Sequence, residues 1–122
     1  MQTLDQIRAK FAWDRVNRVE PEIRREYRNL AKSLPALVMS NGLMQTVAYL
    51  QAKADNRKRN EHAQLRDHIL EWLVREDVIG QPDFESAMKW SMTTTTLEYQ
   101  RATEETQAIL RWIRQLADTV KE

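Results

Sequence analysis

The sequence predicts an all-α protein, folded as a compact bundle of about five to seven helices in a single domain over residues 1–122. The first observation is the scarcity of turn residues: 122 residues include only 2 Gly and 3 Pro, whereas sheet proteins need many tight turns. The second is that apolar residues recur at intervals of three and four, and no segment alternates with a period of two. The third is that a chain of this length with 42% hydrophobic residues can bury about two thirds of its unfolded surface in one core.

Threonine and proline mark the helix boundaries in the first third of the chain. Thr3 fits the N-cap of a first helix because its side-chain oxygen can accept from a free backbone N–H, and Pro21 fits the first turn of a second helix. The apolar spacing then continues through Pro35, which has no backbone N–H to donate. We therefore expect a kink or break near Ser33–Leu34, with Ser33 capping the short segment that follows.

The middle of the chain predicts two further helices separated by a polar loop. Gly42 can adopt the left-handed conformation that ends a helix, and a third helix follows it. Residues 55–60 are polar and basic, so we expect a loop or a frayed helix end there. The next helix carries apolar residues at helical spacing from Leu65 to Leu73 and is expected to end at Gly80.

The last third of the chain predicts a short helix followed by the longest one. Pro82 and Asp83 suit a helix start, and the threonines of residues 93–96 suit the cap of the next helix. In that last helix, small and apolar residues step alternately by three and four, which predicts one continuous buried seam. The seam consists of Tyr99, Ala102, Thr106, Ile109, Ile113, Leu116 and Val120.

Charge is unevenly distributed along the chain, although the formal net charge is only +1. Residues 1–59 carry 12 Lys and Arg against 6 Asp and Glu, residues 60–105 carry 4 against 10, and residues 106–122 carry 3 against 2. This separation can give the folded molecule a basic and an acidic surface, which would favour head-to-tail contacts between copies. Alternatively, folding brings the segments together so that their charges cancel internally. The sequence leaves both possibilities open.

The sequence contains no motif that predicts a catalytic, metal or cofactor site. Cysteine is absent, which removes thiolate chemistry and cysteine-based zinc sites. His62 and His68 lie on different faces of a helix, and neither has a Glu three residues before it, as the Glu-x-x-His motif of di-iron proteins requires. We therefore expect both to be solvated or partly packed. Glu104 and Glu105 are adjacent and point in different directions. We therefore predict a protein that is not an enzyme and binds no metal or cofactor.

The chain shows no pattern of membrane insertion or secretion. No apolar run approaches the roughly 20 residues of a membrane span, and residues 1–5 lack the basic and apolar regions of a signal peptide. We therefore expect a cytoplasmic protein without membrane partners.

Two of the tryptophans are candidates for a partner interface. Most rings of this size pack in cores, but tryptophan is also enriched where proteins meet. Trp13 and Trp90 fit the apolar faces of their predicted helices less well than Trp72 does. These two residues are therefore the candidate interface residues.

Two groups of basic residues are candidates for binding phosphates. One group shares a face of the second predicted helix, and the other follows the third predicted helix. Such side chains can neutralise phosphates independently of base sequence. A solvated surface is the alternative interpretation, and it is the more common one for charged residues. The two groups are Arg25, Arg28 and Lys32, and Arg57, Lys58 and Arg59.

Three blocks of the sequence resemble a known family. Residues 26–53 combine a Tyr-Arg…Leu-Pro helix with an Asn-Gly-Leu helix start at Asn41. Residues 99–105 read Tyr-Gln-Arg-Ala-Thr-Glu-Glu, and residues 110–113 read Leu-Arg-Trp-Ile. In this order the blocks resemble the small helical subunit of the type III-B CRISPR effector, the fifth protein of the Cmr complex. The resemblance covers nearly the whole chain and is weakest in residues 55–92.

The resemblance implies a compact helical fold with no nuclease activity of its own. It implies that several copies stack beside the backbone subunits and line the groove that holds guide RNA and target RNA, while other subunits cleave. The implied partners are the other Cmr subunits, neighbouring copies of the chain, and both RNAs. The two basic groups then become candidates for RNA-backbone contacts, although they match no RNA-binding motif of the family residue by residue.

A helical DNA-binding regulator is the alternative hypothesis. It requires a recognition helix that follows a tight turn, and Leu43–Lys53 is the only candidate segment. Most of that segment is apolar or neutral, with few side chains that could read bases. A metal-dependent helical-bundle enzyme is a more distant alternative, because the ligand motif of such enzymes is missing.

Overall fold

A computed structural model describes residues 1–120. Within this range the chain forms six α-helices and no strand, which confirms the predicted all-α bundle. A single 3₁₀ turn at Pro21–Ile23 leads directly into the second helix. The helices are α1 (Leu4–Asn17), α2 (Arg24–Asn41), α3 (Leu43–Lys53), α4 (Glu61–Arg75), α5 (Phe84–Thr93) and α6 (Thr96–Ala117).

Side-chain caps explain where most of the helices begin. The cap residues accept a hydrogen bond from a backbone N–H that the helix itself leaves free. They are Thr3 for α1, Asn60 for α4, Asp83 for α5 and Thr95 for α6. Helix α3 begins directly after Gly42, and the backbone N–H of Met44 donates instead to the hydroxyl of Tyr99 on α6, over 2.9 Å.

Helix α2 is continuous, so the predicted break near Ser33–Leu34 is wrong. Pro35 lies inside the helix, and its backbone oxygen accepts a hydrogen bond from Nε2 of Gln107 at 2.9 Å. The hydroxyl of Ser33 donates to the backbone oxygen of Leu30 and therefore caps no new segment. Leu34 is fully buried, and packing of such residues on both sides of the proline outweighs one missing backbone hydrogen bond.

Helix α4 ends at Arg75, so the expected end at Gly80 is also wrong. Asp77 has a positive φ of 60° and takes the left-handed position that usually belongs to glycine. The N–H of Val78 reaches back to the oxygen of Leu73 over 2.8 Å, which closes the helix end. An aspartate in this conformation is less common than a glycine but well tolerated, and this is why the sequence pattern pointed to the wrong residue.

Helix α6 is the central element of the core and packs against α1, α2, α3 and α4. The predicted seam is largely confirmed: Ala102, Thr106, Ile109 and Ile113 are buried, while Val120 lies beyond the helix end. The largest fully buried side chains come from α2, α3, α4 and α6. They are Tyr27, Leu34, Leu43, Leu50, Leu65, Ile69, Leu70, Trp72, Leu73, Ile109, Leu110 and Ile113.

Helix α5 lies at the edge of the bundle and packs mainly against α3. Ala87 is its one buried residue, and Phe84, Met88 and Trp90 are half-buried against the core. None of the helices within residues 1–120 combines the length and the apolar character that crossing a bilayer requires.

Candidate nucleic-acid interface

Ion pairs between the basic and acidic segments remove part of the charge separation. They join cations of residues 1–59 to carboxylates of residues 60–105, with nitrogen–oxygen distances of 2.8, 2.8 and 3.4 Å. The pairs are Arg8–Glu105, Arg15–Glu71 and Arg59–Asp67. For these residues, the charges of the two segments therefore cancel within the molecule, which is one of the two possibilities left open by the sequence. The candidate interface consists of the cations that remain exposed.

Glu105 is a structural carboxylate that joins three helices. It accepts two hydrogen bonds from Arg8, at 2.8 and 2.9 Å, and a third from Nε1 of the buried Trp72 at 3.0 Å. The bond from Arg8 holds the pKa of Glu105 below its usual range, against the opposing effect of burial. Its neighbour Glu104 is exposed, so the two carboxylates point in different directions, as their adjacency predicted.

The basic group on α2 is partly occupied by contacts within the chain. Lys32 pairs with Asp118, just beyond the end of α6, at 3.1 Å, and both side chains are about half exposed. Arg25 is exposed and lies 3.9 Å from a carboxylate oxygen of Glu26. Arg28 is half-buried. The three residues follow one helix as predicted, but they differ in exposure and in what they contact.

The second basic group lies on a loop with a well-defined backbone, residues 54–60, which we call the α3–α4 loop. A carboxylate oxygen of Asp55 accepts from the backbone N–H groups of Arg57 and Lys58, at 3.1 and 3.4 Å. The side chain of Asn60 accepts from the N–H of Asp55 at 3.0 Å and donates to the backbone oxygen of Lys53 at 2.9 Å. The predicted loop is therefore confirmed, and its two ends are tied together.

The side chains at the tip of this loop point into solvent. Arg57 and Lys58 are exposed, and neither forms an ion pair with any residue of the part of the chain that the structure describes. Arg59 has a positive φ of 46° and turns back to pair with Asp67. Of the three basic residues predicted here, two are thus available to a partner and one is used to hold the loop.

The sequence did not single out Asp55 and Asn60, although they shape this loop. Their signal was present in the residue types, because Asp and Asn flanking a short polar run commonly form side-chain turns and helix caps. Asn60 does both, since its side-chain oxygen also accepts from the N–H of Ala63 in the first turn of α4.

The two candidate interface tryptophans have different environments. Trp13 is 53% exposed on α1, which fits the predicted interface role. Trp90 is half-buried and stacks on the ring of Tyr99, with centroids 5.8 Å apart and ring planes at 7°. Trp90 therefore contributes to the packing of α5 against α6, and Trp13 is the more accessible of the two.

His68 is buried, so the expectation of a solvated or partly packed side chain is wrong for this residue. It is 5% exposed, and its Nδ1 shares a hydrogen bond of 2.8 Å with the hydroxyl of Tyr27. Burial lowers the pKa of His68 to about 3, with nearby arginines adding to the effect. The spacing of the sequence could have predicted this burial, because His68 lies three residues after Leu65 and four before Trp72 on the apolar face of α4. His62, by contrast, is half-buried beside Glu61 as expected.

No metal-binding cluster of His, Asp and Glu side chains occurs within residues 1–120.

Helix α3, the candidate recognition helix of the alternative hypothesis, is packed against its neighbours. Its buried residues are Leu43, Met44, Thr46, Val47 and Leu50, and it contacts α2, α4, α5 and α6. A helix enclosed in this way cannot lie in a DNA groove without leaving the core, which counts against the regulator hypothesis.

Comparison with known proteins identifies the family. The sequence matches the family described as CRISPR-associated protein (Cas_Cmr5) over residues 4–120. The chain belongs to the Cmr5 family. The resemblance inferred from the three sequence blocks is therefore confirmed. The match also includes residues 55–92, where that resemblance was weakest.

Relatives and a solved structure agree with this assignment. A protein named CRISPR system Cmr subunit Cmr5 from Thermus thermophilus is 29% identical over 123 residues, covering 100% of this chain and 99% of the relative. One of the same name from Thermotoga maritima is 34% identical over 85 residues, covering 65% of this chain and 66% of the relative. The crystal structure of a CRISPR-associated Cmr5 family protein from Thermus thermophilus superposes with a TM-score of 0.79 at 27% identity. That match covers 99% of this chain and 100% of the other.

Proposed function

We propose that this chain is a non-catalytic small subunit of a type III-B CRISPR (Cmr) ribonucleoprotein effector that acts in antiviral defence in the cytoplasm. Several copies stack along the groove that holds guide RNA and target RNA and support binding of the target. The observation that carries this proposal is the Cmr5 family match over residues 4–120. The full-length similarity of the fold to a Cmr5 family structure supports it.

The contacts of Glu105 and His68 within the chain support a non-catalytic role. Glu105 is held by Arg8 and Trp72, and His68 is enclosed with Tyr27. Both are the kinds of side chain that catalyse acid–base reactions, yet here each is held by contacts that join helices of the bundle. We propose that cleavage of target RNA belongs to other subunits.

The exposed cations and the exposed tryptophan support a role in binding. We propose that the two basic groups contact RNA phosphates without reading bases. We further propose that Trp13, with Trp90 as a weaker candidate, contacts another Cmr subunit or a neighbouring copy. The basic residues concerned are Arg25, Arg28, Lys32, Arg57, Lys58 and Arg59. Of these, Arg28 is half-buried and Arg59 also pairs with Asp67.

The test is to purify a tagged chain from a cell that expresses its native neighbours and to sequence the bound RNA. Recovery of larger subunits together with RNAs of guide length is the expected result. An unrelated tagged helical protein of similar net charge, expressed in the same cell, controls for adventitious RNA. If the chain is recovered without partners and without RNA at low salt, the proposed function is wrong.

A further inference from the structure

We propose that the α3–α4 loop is a pre-organised phosphate-binding element, in which Arg57 and Lys58 contact the RNA backbone while the basic group on α2 contributes less. This inference rests on the proposed function and adds to it the part of the surface that meets RNA. Arg57 and Lys58 occupy adjacent positions at the tip of a loop whose ends are tied together by Asp55 and Asn60.

The backbone of the loop is fixed before any ligand arrives. Asp55 holds the N–H groups at the tip, Asn60 joins the two ends, and Nη2 of Arg66 on α4 donates to the side chain of Asn56 at 3.0 Å. Binding therefore requires ordering of the Arg57 and Lys58 side chains but not of the chain that carries them. Pre-organisation of this kind lowers the entropic cost of binding.

The carboxylates around the loop are already engaged, which leaves the tip basic. Asp55 accepts from the loop backbone, and Asp67 lies within 3.4 Å of a nitrogen of Arg59 and 2.9 Å of one of Arg66. Arg57 and Lys58 have no such partner within residues 1–120. On α2, by contrast, Lys32 and Arg25 lie beside carboxylates of this chain.

Two adjacent exposed cations suit a polyanion better than a single carboxylate. A nucleic-acid strand carries one phosphate per nucleotide, so neighbouring side chains can each meet a phosphate. The contact provides affinity and position without base selection, since neither side chain is held in the fixed orientation that base reading requires. This behaviour fits a subunit that must accept RNAs of any sequence.

The test compares the unaltered chain with two charge-matched double variants, Arg57→Ala/Lys58→Ala and Arg111→Ala/Arg114→Ala. Arg111 and Arg114 are exposed on α6 and form no ion pair in the described residues, so the second variant removes the same charge elsewhere. The probe is a single-stranded RNA of mixed sequence, and the readout is the dependence of the affinity on salt. The loop variant is expected to lose affinity and to reduce the slope of log K against log salt by about 1.4, because each single-strand phosphate contact contributes about 0.7.

The remaining outcomes separate this inference from the proposed function. Equal loss of slope in both variants, or no loss in the loop variant, would overturn the loop assignment. It would also be overturned if the loop variant kept its RNA affinity but lost self-association, because the loop would then bind carboxylates of a neighbouring copy. In each of these cases, recovery of the wild-type chain with its partner subunits would leave the proposed function standing.

The role of the scaffold is tested separately with Asn60→Ala, which changes no charge. This variant opens the loop but keeps Arg57 and Lys58. Its affinity for the same RNA is expected to fall while its salt slope stays at the wild-type value, since the same phosphates are still neutralised. An unchanged affinity with a visibly opened loop, measured as faster amide exchange at residues 55–58, would show that pre-organisation contributes nothing.

Discussion

Thr106 is a fully buried residue whose hydroxyl has no hydrogen-bond partner within residues 1–120. An unsatisfied buried polar group costs about 1–3 kcal/mol, and valine has the same shape without the hydroxyl. We predict that Thr106→Val raises the free energy of unfolding by about 1 kcal/mol. The measurement is the midpoint of urea unfolding at unchanged m-value.

Thr46 provides the matched control for this prediction. It is also buried, at 2% exposure, but its hydroxyl donates to the backbone oxygen of Gly42 at 2.9 Å. Thr46→Val should therefore lower the stability. If both valine variants shift the urea midpoint in the same direction, the change in stability does not depend on whether the threonine hydroxyl is hydrogen-bonded.

His68 should make the stability of the protein sensitive to mild acid. Its pKa is lowered to about 3 by burial in the folded chain, whereas the unfolded chain takes up the proton near pH 6.5. The contribution of the uncharged His68 to the free energy of unfolding is therefore fully present above about pH 6.5. As the pH drops below this value, the free energy of unfolding falls by at most about 1.4 kcal/mol per pH unit. Denaturant unfolding between pH 6.5 and 5, above the ordinary pKa values of Asp and Glu side chains, measures this slope.

Two variants isolate the contribution of His68. His68→Gln removes the titrating group and should flatten the slope in this pH range, whatever its effect on stability at neutral pH. Tyr27→Phe removes the hydrogen-bond partner but keeps the buried histidine, so the slope should remain. A slope that survives in His68→Gln would assign the pH dependence to another group.

At the scale of elements, α2 carries a proline that its packing tolerates at a cost. Proline in a helix interior is about 3 kcal/mol less favourable than alanine, and Pro35 also denies a hydrogen bond to the preceding turn. We predict that Pro35→Ala stabilises the protein by about 1–3 kcal/mol. The contact from Gln107 is retained, because it is made to the backbone oxygen of residue 35.

Ser33→Ala is the control for the continuity of α2. The exposed Ser33 donates only to the backbone oxygen of Leu30 in the same helix, so its removal should change the unfolding free energy by less than about 0.5 kcal/mol. A loss of about 1 kcal/mol would be typical of an N-cap and would show that a second helix begins there after all.

The helices themselves were predictable from the sequence, whereas two of their boundaries were not. Thr3 and the threonines of residues 93–96 act locally, so their caps could be inferred from residue type alone. Continuation of α2 through Pro35 depends on side chains distant in the chain, such as Gln107. The end of α4 at Arg75 depends on the left-handed conformation of Asp77, which aspartate adopts less often than glycine.

At the scale of the whole molecule, the positions of the charged residues can be read from the sequence, but the ion pairs that they form cannot. Arg8 and Glu105 are 97 positions apart, and no local pattern predicts that they meet. The same is true of the candidate interface. The basic residues 57–59 were evident from the sequence, but only the fold shows that Arg59 pairs with Asp67 while Arg57 and Lys58 remain unpaired in the described residues.

Trp13 allows binding to be separated from folding. It is 53% exposed, so Trp13→Ala should change the stability of the isolated chain by less than about 0.5 kcal/mol while lowering the recovery of partner subunits or neighbouring copies in co-purification. Trp72→Ala, which truncates a fully buried ring, should cost about 3–5 kcal/mol. Full recovery of partners by a folded Trp13→Ala chain would remove this residue from the interface.

The hydrogen bond between Tyr99 and the start of α3 also affects how the chain can fold as it is synthesised. Helices α1 to α4 leave the ribosome before α6, yet α6 packs against all four, and Tyr99 supplies the bond that the first turn of α3 lacks. The nascent chain therefore holds α1 to α4 without their central partner until α6 has emerged. Folding of the bundle is thus completed only after α6 has been synthesised, and the interval before that is when the emerging chain exposes the most apolar surface to chaperones.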